Sequence, residues 1–68
     1  MTLDAALLDA HARNDRRALV TLYAQAADAA PDLDASCFFL TQAYIFALEQ
    51  AHEATGALHD RLQRHGRL

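Results

Sequence analysis

"SCFFLTQAYIFALEQ", residues 36–50, carries no charged side chain until Glu49. On a helix of about 100° per residue, Leu40, Ala43, Tyr44, Ala47 and Leu48 form one apolar face. Cys37 lies at its edge, and Phe39 and Phe46 widen it. Phe38 and Ile45, seven residues apart, fall on the other side of Gln42 and Glu49, so only a narrow polar strip remains. One neighbouring helix cannot cover such a circumference. The stretch must therefore be central in its domain, or be partly covered by another chain. The broad face is predicted to be core, and Phe38 and Ile45, with Gln42 and Glu49 beside them, form the candidate interface.

The flanking sequence supplies the helices that this reading requires. Upstream, "PDLD" (residues 31–34) is a turn in which Pro31 stops one helix and Asp32 or Asp34 caps the next. From Asp15 to about Ala30, Leu19, Leu22, Tyr23, Ala26 and Ala30 recur at three- and four-residue spacing, opposite Arg16, Gln25 and Asp28. Further upstream, Leu3, Leu7 and His11 share a stripe with Leu8 beside them, Thr2 suits an N-cap and Asp4 the first turn. Asn14 fits the left-handed residue after that helix, and Asp15 the cap of the second.

Downstream, "LEQAHEATGAL" (residues 48–58) has no strong breaker before Gly56. A bend near Ala51 or His52 is nevertheless predicted, because a continuous rod would carry Leu58 and Leu62 away from any core. The last helix aligns Ala54, Leu58 and Leu62 and ends at Gly66. If it packs over Phe38 and Ile45, the protein can be monomeric. If it docks on the broad face, those two side chains stay exposed and invite a second copy across a two-fold axis. The narrow stripe of Leu58 and Leu62 favours the second arrangement, a homodimer.

Sixteen alanines against two glycines and one proline, with no strand pattern, make the chain all-α. Its 68 residues are read as one domain, 1–68, of three to four short antiparallel helices, either a helical hairpin with additions or a small bundle. A domain of that size buries only about 60% of the surface its unfolded chain exposes, so a partner or a second copy would add stability. The formal charge of −3 has the wrong sign for general attraction to phosphate backbones or anionic membranes. The uncharged run from Ala35 to Leu48 is shorter than the roughly 20 residues that span a bilayer. Asp4 and Asp9 interrupt what a secretory signal would need, and the single Cys37 lies among apolar residues. These features point to a cytoplasmic protein without a membrane partner.

From Asp15 to Leu48, helix, turn and helix occupy about half the chain, with small residues at Ala24, twelve later at Ser36 and seven later at Ala43. Small side chains at these spacings let two antiparallel helices approach closely. The pattern resembles the tetratricopeptide repeat, with Val20 and Leu40 at its large apolar positions. Two positions depart from it: Ala27 stands where the family usually has Tyr, and Leu48 where it usually has Pro. The resemblance implies a helical hairpin and a peptide or protein partner, although one repeat cannot build the groove that several repeats form together.

Chemistry-bearing constellations are sparse. Glu49-x-x-His52 has the spacing of a di-iron carboxylate ligand pair, but a site of that kind needs two such motifs and further Glu ligands. No metal or cofactor is expected, and the pair is read as facing solvent. His52, His59 and His65 can approach one another near the C-terminus, but they are read as surface residues. Arg61, Arg64 and Arg67 form a basic edge where the helix dipole favours positive charge. A second patch, Arg13, Arg16 and Arg17, is interrupted by Asp15. No Gly-rich phosphate loop and no Cys or Ser beside a suitable His is present, so no enzymatic activity is expected. The expected function is a small helical protein–protein interaction module, acting on a partner or on itself. The alternative is a small nucleic-acid-binding regulator of helix-turn-helix type, disfavoured because no helix combines Arg with Asn, Gln, Ser or Thr along one recognition face.

Overall fold

The computed structural model describes residues 2–68. Four helices follow one another: α1 (Leu3–Ala12), α2 (Arg16–Ala29), α3 (Leu33–Glu49) and α4 (Thr55–Arg64). Among the described residues there is no strand, and the protein is an all-α bundle.

Local chemistry explains the boundaries. The Thr2 hydroxyl accepts from the Ala5 amide, the Asp15 carboxylate from Ala18, and the Asp32 carboxylate from Ala35, so three helices have side-chain N-caps. Of the two acids in "PDLD", Asp32 is the cap, while Leu33 and Asp34 already belong to α3. The turn is therefore shorter than the sequence implies: α2 stops at Ala29, and Ala30 is extended, as a residue before proline prefers.

The ends of α1, α3 and α4 share one closing device. Asn14, Ala51 and Gly66 have φ of 55°, 50° and 69°, the left-handed region. The following amides reach back to the helix: Asp15 N–H to the Ala10 carbonyl (2.9 Å), His52 to Ala47 (2.9 Å) and Arg67 to Leu62 (3.0 Å). These are Schellman closures, which satisfy carbonyls that a helix end leaves unpaired. The expected bend falls at Ala51, where a residue with a Cβ occupies a position that glycine fills at lower cost.

α2 and α3 form the main helix pair; α1 packs on α2, and α4 on α3. The core joins Val20 and Ala27 of α2, Leu40, Ala43 and Ala47 of α3, and Leu58 and Leu62 of α4. α4 thus docks on the broad face of α3. On the α1 side, Ala10 is fully buried, a position that the leucine pattern of the first helix did not reveal, and Leu8 is exposed. Tyr23 stacks near Phe46 and Phe39, with ring centroids 6.0 and 6.2 Å apart, and its hydroxyl lies 2.8 Å from His11 Nε2.

The Cα envelope measures 32 × 28 × 12 Å. One helix layer is about 5 Å thick in Cα atoms and two full layers, with axes 8–10 Å apart, need about 13 Å or more, so the four helices form a flat slab that falls just short of two full layers. In such a slab a central helix keeps an uncovered side. Leu48, expected on the core face, lies on that side and is 53% exposed. It is rotated about 80° from Leu40, toward Phe38 and Ile45, and α4 covers the Leu40–Ala47 side.

Candidate functional site

Along the uncovered side of α3, Phe38 is 59% exposed, Ile45 44% and Leu48 53%. These three side chains and Thr41 share a strip about 80° wide. Thr41 does not make the strip polar, because its hydroxyl donates backward to the Cys37 carbonyl at 2.8 Å. Of the other interface candidates, Gln42 is half-buried, and Glu49 is exposed and pairs with Arg16 at 3.4 Å. Leu48 is the member that the sequence assigned to the wrong side. Its exposure depends on the direction from which α4 returns, which no local signal in the helix encodes.

An open cleft of about 280 Å³ lies at the N-terminal end of the strip, lined by Asp34, Cys37, Phe38, Thr41 and Arg67. The Schellman closure after α4 brings Arg67 there, and its guanidinium donates to Asp34 Oδ1 at 2.6 Å. The Asp34 carboxylate raises the Arg67 pKa further, chiefly through this hydrogen bond. Cys37 is buried and free beneath the cleft, with no imidazole in the lining.

The basic edge is largely neutralised. Arg61 pairs with Asp28 at 2.6 Å and Arg67 with Asp34, which leaves Arg64 without a carboxylate partner among the described residues. In the other patch, Arg13 pairs with Asp9 and Asp15, Arg16 with Glu49, and Arg17 with Glu53. Five of the six arginines are therefore matched with acids, four of them across helices or turns, which ties α2 to the end of α3 and the segment after it, α4 to α2, and the C-terminal tail to the start of α3.

Glu49 and His52 do not face solvent together. The His52 side chain is only 8% exposed, and its Nδ1 accepts the Ala54 amide at 2.9 Å. The imidazole thus takes the capping role for α4, whose own N-cap, Ala54, has no side-chain acceptor. Thr55 completes the turn by donating its hydroxyl to the His52 carbonyl at 2.7 Å. His59 instead lies against Tyr44, with ring centroids 6.0 Å apart, and His65 is exposed. Among the described residues no three His, Cys, Asp or Glu side chains converge as metal ligands would, and no helix is long and apolar enough to cross a membrane.

Comparison of the chain with protein-family models, curated proteins and solved structures finds no match. The tetratricopeptide resemblance accordingly rests on residue spacing alone.

Proposed function

We propose that this protein is a helical protein–protein interaction module whose working surface is the uncovered side of α3. One observation carries the reading: Phe38, Ile45 and Leu48 stand exposed in one strip of a helix whose opposite side is core. Apolar side chains aligned on one face, rather than scattered, mark contact surfaces. Each is already about half covered, so burying the rest contributes about half of the 1.5–3 kcal/mol that full burial gives, still a useful gain for a domain this small. The same reading treats the protein as non-catalytic and cytoplasmic, and the spacing shared with tetratricopeptide repeats is in keeping with a protein partner.

The nucleic-acid alternative loses ground on charge. Phosphate binding needs free cations grouped on one surface, and here five of six arginines are matched with carboxylates. The test uses wild-type protein and the double variant Phe38→Glu/Ile45→Glu as baits in the native cell. A partner held by the first and lost by the second supports the module. Identical captures by both baits, or a mobility shift of random-sequence DNA at low salt, would sink it.

A further inference from the structure

We infer that the occupant of the α3 strip is a second copy of this chain, laid antiparallel across a two-fold axis that passes between Thr41 and Ile45. The inference rests on the interaction-module reading and names its partner. Two features of the surface make it complementary to itself, and a third limits how tightly it can associate.

The first is shape. Leu48 projects at one end of the strip, and the cleft beside Phe38 opens at the other. Ten residues of helix separate them, about 15 Å. A two-fold axis midway between them seats the Leu48 of each copy in the cleft of the other, and sets Ile45 of each against Thr41 of the other. Such a contact is isologous and closes at two chains.

The second is charge. Arg67 stands at the N-terminal end of α3, beside Asp34, and Glu49 at the C-terminal end. Both are paired within their own copy, Arg67 with Asp34 and Glu49 with Arg16, so antiparallel docking sets one neutralised pair beside the other, whereas parallel docking would set Glu49 against Glu49. Antiparallel helix dipoles favour the same choice. The third is area. Four partly exposed side chains offer a few hundred Å², below the roughly 800 Å² per partner of a standard stable interface. The dimer is therefore a reversible one, with dissociation in the micromolar range or weaker.

Sedimentation equilibrium from micromolar to millimolar concentration tests association. Wild type is expected to pass from monomer to dimer, and Leu48→Glu to weaken dimerisation at least tenfold while melting like wild type at concentrations where both are monomeric. Leu48→Ser serves the same purpose should the charged variant fold poorly. Orientation is read by disulfide trapping in a Cys37→Ser background, mixing one chain carrying Thr41→Cys with another carrying Ile45→Cys. Mixed disulfides above the statistical share of random pairing are expected, because only opposed Cβ atoms reach bonding distance. Wild type that stays monomeric at millimolar concentration overturns the second copy and leaves the module to the bait experiment. A dimer unaffected by changes at Leu48, or trapping at the random share, overturns the α3 arrangement.

Discussion

The Ser36 hydroxyl donates to the Ala27 carbonyl across 2.9 Å, a side chain of α3 closing on the backbone of α2. Only a small residue can stand at that distance from a neighbouring helix. The bond is the second and shorter one that this carbonyl in the last turn of α2 accepts, since the Ala30 amide already donates to it at 3.3 Å. Seven residues on, Ala43 is fully shielded from solvent, whereas Ala24, the third small residue of the series, is only partly buried.

Ala43→Leu is therefore expected to overpack the core and cost about 1–3 kcal/mol, and Ala24→Leu to cost less because its side chain can lean outward. Urea denaturation of both variants checks the order. Equal losses would mean that the two alanines share the crossing equally.

Ala51→Gly is expected to raise stability, since a left-handed Ala costs about 1–2 kcal/mol and glycine removes most of that strain at the price of some unfolded-chain entropy. The residue is exposed, and the hydrogen bond that its amide donates to the Leu48 carbonyl is unaffected by the change. A melting temperature at or below that of wild type would refute the strain argument.

Leu62→Ala should cost about 2–5 kcal/mol, because Leu62 is 1% exposed and belongs to the shared core. His52→Ala acts more locally. It removes the acceptor of the Ala54 amide, so hydrogen exchange should quicken in the first turn of α4 before it changes in α2 or α3. Uniform acceleration throughout would show that α4 does not open on its own.

The Glu53 carboxyl is held below its ordinary value of 4.5, first by a hydrogen bond from its own backbone amide and then by Arg17, whose Nη2 lies 2.8 Å away. A carboxyl lowered on folding contributes stability above its unfolded value, and that contribution is lost as pH falls through the folded value. Glu53→Gln should thus be less stable than wild type at neutral pH, and the gap should close below about pH 4.5. High salt should narrow it too, because the pair is exposed. A gap independent of pH would assign the difference to something other than this carboxylate.

Much of the helical layout was legible because its signals are local. A cap such as Asp15 or Asp32 acts within three residues, a left-handed residue such as Asn14 or Gly66 closes the helix before it, and Pro31 constrains its own neighbour. Apolar spacing likewise marked Leu19, Leu40, Leu58 and Leu62 as core. The exposed pair Phe38 and Ile45 was visible as a surplus on a helix with more apolar surface than one neighbour can cover.

Tertiary structure decided what depends on the direction of chain return. Leu48 lies in the outer strip because α4 turns back over Leu40 and Ala47. Ala10 is buried because α1 packs on α2, and His52 is inside because the turn folds its ring beneath the Ala54 amide. Arg67 reaches Asp34, a partner 33 residues away, so its charge is already matched where the sequence shows only a basic edge. Periodicity tells which residues of a helix share a face; which face meets which neighbour follows from the summed packing of all four helices, a quantity no local stretch contains.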